Sequence, residues 1–229
     1  MELDKINIAA DKLFKARINV NRIKNLPKNC IPHNQIEAYK IQEILTEKHL
    51  SVNKKYHIIG KKIGCTNKTA QKQINVTEPF YGNLLSNYSS KNNCLIKSDK
   101  FSKLFVEPEF GFKIGKELNF LKAPFSIKNI YDIIDYVMPA IEIVDSRFTN
   151  WKNIGINNLI ADNGVNGFWI YGKKFKNLDL FDFSNHSVSL FFNDKLIDIG
   201  NSANVLGSPI NSLTWLINKM AKSKKSLIK

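Results

Sequence analysis

Two glutamates stand one residue apart in Val106-Glu107-Pro108-Glu109-Phe110, and a third interrupts the apolar run Pro139-Ala140-Ile141-Glu142-Ile143-Val144. Residues i and i+2 of an extended strand project to one face, so Glu107 and Glu109 point the same way and Pro108 the other. An E-x-E pair in a strand ordinarily marks a solvated face. Glu142 changes that reading, because Val137, Met138, Ile141 and Ile143 describe a mostly buried strand. A lone carboxylate there costs far more than the burial of one side chain returns. Three convergent carboxylates would also repel one another. A divalent cation resolves both difficulties, and an all-oxygen set without nearby His or Cys points to Mg²⁺ or Mn²⁺ rather than Zn²⁺ or Cu²⁺.

Upstream, Gly60-Lys61-Lys62-Ile63-Gly64-Cys65-Thr66 places two lysines in a glycine-flanked apolar strand. Alternation sends one to solvent and the other inward, where an ammonium needs a carboxylate or an anionic ligand. Arg147, which follows Asp145 and Ser146, suits either a structural carboxylate or one on a substrate. Ala161-Asp162-Asn163-Gly164 taken alone is ordinary turn chemistry. His33, His49, His57 and His186 show no metal spacing and are read as surface or packing residues.

These groups need elements to hold them. Residues 4–19 read as a helix with Leu3, Ile6, Ala10, Leu13 and Phe14 on its apolar side. Residues 34–49 read as a second, opened by Asn34 with Glu37 and turning Ile36, Tyr39, Ile44 and Leu45 inward, with Pro27 and Pro32 bracketing the loop between. From about residue 56 short apolar strands separated by Gly, Asn and Ser clusters predict a sheet-rich body. Ser126 caps a short helix carrying Ile127, Ile130, Ile134 and Val137 into the Glu142 strand. Asn193-Asp194 forms a two-residue hairpin turn. Ser208 and Pro209 open a last helix with Ile210, Leu213, Ile217 and Met220 as its stripe, followed by a basic tail from Lys222 to Lys229. Two regions are expected: residues 1–55, helical, and residues 56–229, a β-rich body.

Composition narrows the function classes. With 229 residues and 43% hydrophobic content the chain can bury a substantial core. Its 34 basic against 20 acidic residues give a net charge of +14. The lysines are spread along the whole chain and arginine is confined to Arg17, Arg22 and Arg147, which argues against a nucleic-acid reader. Cys30, Cys65 and Cys94 form no C-x-x-C pair and are read as packing residues in a reducing compartment. The amphipathic start is neither a signal peptide nor a membrane anchor, so a cytoplasmic location is expected.

In order along the chain, Gly60 to Thr66, Gln73-Ile74-Asn75-Val76 with Pro79 and Gly82, Val106-Glu107-Pro108-Glu109, Pro139 to Arg147, Ala161-Asp162-Asn163 and Leu206-Gly207-Ser208-Pro209 resemble the 2-keto-4-pentenoate hydratase group of the fumarylacetoacetate hydrolase superfamily. The resemblance implies an α+β fold, the mixed β-roll of that superfamily with N-terminal and peripheral helices. It implies Glu107, Glu109 and Glu142 as Mg²⁺ or Mn²⁺ ligands and Lys62 as the active-site lysine; Arg147, Asp162 and Asn163 are candidate substrate contacts. Two positions depart from the group's pattern. Phe80 stands where an Asp is frequent, and Gly164-Val165 where Ala-Ser is common. Family members also continue past the last helix into a Gly-Asp turn and closing strands, whereas this sequence stops at Ser226-Leu227-Ile228-Lys229, so either a fragment or a naturally shortened member is expected.

The activity so implied is a lyase that hydrates an enolisable 2-oxo acid such as 2-hydroxypenta-2,4-dienoate during breakdown of aromatic compounds. A 2-oxo acid chelating the cation through its carboxylate and oxo group would be stabilised as the enolate. The alternatives are a 4-oxalocrotonate-type decarboxylase, an acylpyruvate-type hydrolase, and a truncated, inactive scaffold or partner subunit. Resemblance further implies a homo-oligomer, with a related decarboxylase as a conceivable partner.

Overall fold

The computed structural model describes residues 1–223. Helix α1 (Leu3–Ile18) buries Ile6, Ala9, Ala10, Leu13 and Ala16. It packs on α2 (Gln35–Ser51), whose inward face is Ala38, Ile41, Gln42, Leu45, Thr46 and His49. Ile36, expected inward, is 71% exposed. It lies two residues from Ala38, about 200° round the helix, so it shares no face with that stripe. Leu3, in the first turn of α1, is likewise exposed. Asn34 caps α2 by accepting from Glu37 N at 2.9 Å. The Glu37 carboxylate does not close the box on Asn34; it accepts from His33 N at 2.8 Å and pairs with the N-terminal ammonium at 2.6 Å. Phe148 and Ala161 complete the core between the helices, and Gln42 donates to the carbonyls of Tyr81 and Ile160. The helical region and the β-rich body therefore share side-chain packing and buried hydrogen bonds.

Strand β1 (Ile58–Gly64) is followed by the short helix α3 (Lys68–Gln73) and pairs antiparallel with β2 (Phe80–Leu85). The main sheet contains β3 (Ser89–Lys91), β4 (Phe105–Ile114), β5 (Ile134–Val144) and β6 (Asn166–Tyr171), in the order β3-β6-β5-β4. Only β3 and β6 run parallel within it; the other pairs are antiparallel. Helix α4 (Ile127–Tyr131), held by a reciprocal Ser126–Asn129 capping box, leads into β5. Ile127 is exposed, whereas Ile130 and Val137 are buried. Helix α5 (Ile156–Ala161) leads into β6.

A separate hairpin, β7 (Ser187–Phe192) with β8 (Lys195–Asn201), turns at Asn193 and Asp194, which take φ of +47° and +60°. Positive φ at both central residues is what a tight turn matched to the strand twist requires. Helix α6 (Pro209–Lys222) is capped by Ser208 and buries Ile210, Leu213, Ile217 and Met220. The basic tail lies outside the described residues from position 224 onward, as does the stop at Ser226 to Lys229. Cys30, Cys65 and Cys94 are free thiols. Among the described residues no helix is long and apolar enough to cross a membrane.

Candidate active site

The β4–β5 register puts Glu107 directly opposite Glu142 and Glu109 opposite Ala140. Glu107, Glu109 and Glu142 each offer a carboxylate oxygen within 4.8 Å of the others. Glu142 is fully buried on the central strand β5, with Glu107 of β4 and Trp169 of β6 as its register partners. Asn166 Nδ2 donates to Glu142 Oε1 at 2.8 Å. Glu142 Oε2 lies 2.9 Å from Lys62 Nζ as a buried ion pair. Alternation along β1 sends Lys62 inward, where it is 5% exposed and also donates to Gly164 O at 3.2 Å. Lys61 turns the other way and donates to Asn83 Oδ1.

The electrostatics follow from that crowding. Burial opposes the Lys62 ammonium, but Glu142, Glu107 and Glu109 together outweigh it and hold its pKa above the ordinary lysine value. Burial pushes the Glu109 carboxyl well above the usual carboxylate range, and the charges of Glu142 and Glu107 add to this against Lys62. Glu107, although solvent reaches it, is raised by the same causes, desolvation first. Three carboxylates thus face one ammonium. A hard divalent cation that takes oxygen ligands fits this set, and the surplus negative charge is what it would neutralise.

Beside the carboxylates opens a cavity of about 760 Å³, within the size range of small-molecule sites. Its wall includes Lys62, Glu107, Glu109, Met138, Trp169 and Tyr171. Phe80, at one of the two departures from the hydratase pattern, is also part of the wall.

Arg147 and Asp162 are placed behind this wall and do not line the cavity. Arg147 Nε pairs with Asp162 Oδ1, its backbone N donates to Asp162 Oδ2 at 2.9 Å, and its Nη2 donates to Asp162 O at 2.7 Å. Burial raises the Asp162 pKa despite the opposing Arg147 charge. Asn163 does not line the cavity either; it clasps β2 by accepting from Asn83 N at 2.7 Å and donating to Asn83 O at 2.9 Å. The two backbones approach so closely there that a Cβ on Gly82 would sit 2.3 Å from Asn163 O. Gly164, the second departure, has φ +62°, and a Cβ on it would lie 3.3 Å from Gly82 N. An alanine in its place would be strained.

Residues 162–167 therefore form a hub that fixes both Lys62 and Glu142. Two of its holders escaped sequence reasoning. Asn166 reads as one more polar turn residue, and only the fold shows that its amide meets Glu142. Arg17, on α1, donates to Asn166 O at 2.6 Å and to Gly167 O, with its guanidinium 3.8 Å from the Tyr88 ring centroid. Nothing in an amphipathic helix marks one arginine for a partner 149 residues away.

No family model matches the chain. It is 32% identical over 223 residues to the TodF product hydratase of Pseudomonas putida strain F1, covering 96% of this chain and 80% of that protein. The chain belongs to the 2-keto-4-pentenoate hydratase group. The 2-keto-4-pentenoate hydratase of Paraburkholderia xenovorans is 31% identical over 219 residues, with 96% and 80% of the two chains covered. A 4-oxalocrotonate decarboxylase of Pseudomonas sp. strain CF600 is 27% identical, covering 96% and 81%. Among solved structures, the 4-oxalocrotonate decarboxylase of Pseudomonas putida G7, complexed with magnesium and adipate, superimposes with a TM-score of 0.90 over all of this chain and 85% of its own, at 24% identity. The α+β fold is that of this group, with its mixed sheets and N-terminal helices.

Proposed function

We propose that this chain is a metal-dependent hydro-lyase that adds water to an enolisable 2-oxo acid of the 2-hydroxypenta-2,4-dienoate type. The observation that carries the reading is the convergence of Glu107, Glu109 and Glu142 with Lys62 beside one cavity. Glu107, Glu109 and Glu142 would hold Mg²⁺ or Mn²⁺, which when bound supplies Lewis acidity for the enolate of the substrate. Lys62, paired with Glu142 and lining the same cavity, is placed to steer the substrate carboxylate or to transfer a proton to or from the substrate. The dienol loses its O–H proton and gains one on its terminal carbon, giving a conjugated ketone. Water then delivers hydroxide to the carbon β to the ketone and a proton to the α carbon. Met138, Trp169 and Tyr171 supply an apolar wall for the carbon chain.

The decarboxylase reading keeps the same site and differs in the bond broken; its support is the similarity to 4-oxalocrotonate decarboxylases. Product analysis separates the two. A homo-oligomer is supported by Phe191, Phe192, Leu196, Ile197 and Ile199, which the β7–β8 hairpin leaves exposed; a related decarboxylase is the alternative partner for that surface. A cytoplasmic setting and breakdown of aromatic compounds complete the proposal.

The test is thermal unfolding of this chain and of Glu109→Gln with Mn²⁺, with and without oxalate, a planar mimic of the enolate. Ligand at about 100 times its dissociation constant stabilises a fold by about 2.7 kcal/mol. Stabilisation that needs metal, grows with oxalate and vanishes in Glu109→Gln is expected. A cooperative transition indifferent to both ligands would sink the catalytic reading and leave a folded non-enzyme.

A further inference from the structure

The pairing of β5 with β6 slips by one residue beside the site. Ile143 lies opposite Phe168 but Val144 lies opposite Asn166, so Gly167 is the extra residue of a β-bulge on β6. Pairing then resumes, with Asp145 N donating to Val165 O at 3.0 Å. A Cβ on Gly167 would sit 2.5 Å from Ile143 O, so a side chain there would force the two strands apart.

The bulge decides which way Asn166 points. Side chains alternate along a strand, and register partners share a face. Glu142 and Val144, two residues apart, both project to the carboxylate face, and Asn166 joins that face as the partner of Val144. An unbroken register would set Gly167 opposite Val144 and Asn166 opposite Asp145, on the other side of the sheet, because a slip of one residue reverses every side chain. The 2.8 Å donation from Asn166 Nδ2 to Glu142 Oε1 therefore depends on the bulge.

What holds the bulge comes from outside the sheet. Among the described residues β3 pairs with β6 only from Trp169 to Tyr171, which leaves the Asn166 and Gly167 carbonyls beyond its end. The Arg17 guanidinium takes both: Nη1 donates to Asn166 O at 2.6 Å and Nη2 to Gly167 O. Tyr88, the residue before β3, has its ring centroid 3.8 Å from that guanidinium. Arg147 also reaches Asn166 O, at 3.2 Å, while its other donations go to Asp162. A rigid planar fork suits two successive carbonyls, whereas an ammonium is a single point of charge.

We propose that Arg17 is a positioning residue for the metal ligands: by clamping the two peptides of the bulge it keeps Asn166 on the carboxylate face and Glu142 aimed at the ion. The inference rests on the proposed reading of Glu107, Glu109 and Glu142 and adds a residue of the N-terminal helix to it. Arg17 touches neither substrate nor ion and acts through Asn166.

The test measures Mn²⁺ affinity by calorimetry on the unaltered chain, Arg17→Met, Asn166→Ala and the double variant, with thermal unfolding of each to show that it is folded. Arg17→Met should weaken Mn²⁺ binding about tenfold, the lower end of what a partner orienting a metal-binding group contributes. The double variant should bind no more weakly than Asn166→Ala, because the two residues act along one path. Arg17→Lys, which keeps the charge and loses the fork, should lose as much affinity as Arg17→Met, and it carries the comparison if Arg17→Met does not fold. A residue that served stability alone would lower the melting temperature and leave Mn²⁺ affinity unchanged, and that result would overturn the proposal. Full affinity in Arg17→Lys, or losses that multiply in the double variant, would overturn it as well and leave the carboxylate site standing. Failure of the unaltered chain to bind Mn²⁺ would overturn the proposed function, and the role of Arg17 with it.

Discussion

Asn166 donates from Nδ2 to Glu142 Oε1 at 2.8 Å while its own carbonyl accepts from Arg17 and Arg147. The amide is thereby fixed from behind and orients the buried carboxylate in front. Asn166→Ala leaves Glu142 Oε1 without its donor and keeps the backbone contacts. Since a partner that orients a metal-binding group typically contributes 10–100-fold in affinity, a Mn²⁺ titration should show a loss of about that size. An unchanged affinity would mean that Glu142 is positioned by its strand alone.

Lys62→Met removes the only cation paired with Glu142 among the described residues. Leaving a buried carboxylate alone costs about 3–5 kcal/mol, so the melting temperature without metal should fall steeply. Divalent cation should then recover more stability in the variant than in the unaltered chain, because it takes over the neutralising role. Equal metal-dependent shifts in the two proteins would count against a shared site for Lys62 and the ion.

The Arg147–Asp162 pair is buried at 3% and 0% side-chain exposure, so Arg147→Lys is not a conservative change. It keeps the charge but cannot reproduce the donations to Asp162 and to Asn166 O from a planar fork. A loss of about 1–3 kcal/mol in urea unfolding is expected. If the pair instead contacted substrate, the variant would keep its stability and lose only ligand affinity.

His49 supplies a pH dependence remote from the carboxylates. Burial lowers its pKa from 6.5 to about 3, with the charges of Arg17 and Arg147 acting in the same direction; Phe14 and the Tyr88 hydroxyl also face its ring. The unfolded chain takes up a proton below about 6.5 that the folded chain refuses. This contribution is therefore complete above pH 6.5 and is lost as pH falls towards 3, with a slope of up to about 1.4 kcal/mol per pH unit. Melting curves across that window should fall more steeply for the unaltered chain than for His49→Gln. Parallel curves would refute the assignment.

Strand alternation made the shared face of Glu107 and Glu109 readable from the sequence, and showed that one of Lys61 and Lys62 turns inward, because a period of two needs no tertiary knowledge; only the resemblance pointed to Lys62. The burial of Glu142 was readable from its apolar neighbours, and the Asn193-Asp194 turn and the Ser208 cap from local chemistry. Asn166 and Arg17 were not, since each acquires its meaning from a partner far along the chain. Arg147 and Asp162 show the limit from the other side. Their residue types suit a substrate carboxylate as well as each other, and only the packing of α1, α2 and β6 around them decides between the two. The order β3-β6-β5-β4 was equally hidden, because it is set by which apolar faces meet and not by any run of residues.

The span between Lys62 and the Gly164 carbonyl that receives it, 102 residues, also has a meaning in time. A ribosome adding roughly 5–20 residues per second needs roughly 5–20 s to bring the second after the first. Glu142, the ion-pair partner of Lys62, is made after it and before Gly164, so once β2 is made β1 can pair with that strand while the lysine destined for the interior still waits in water for its carboxylate. The site therefore cannot close until residues 162–167 have followed β5 out of the ribosome, when the waiting arginine on α1 meets its carbonyls.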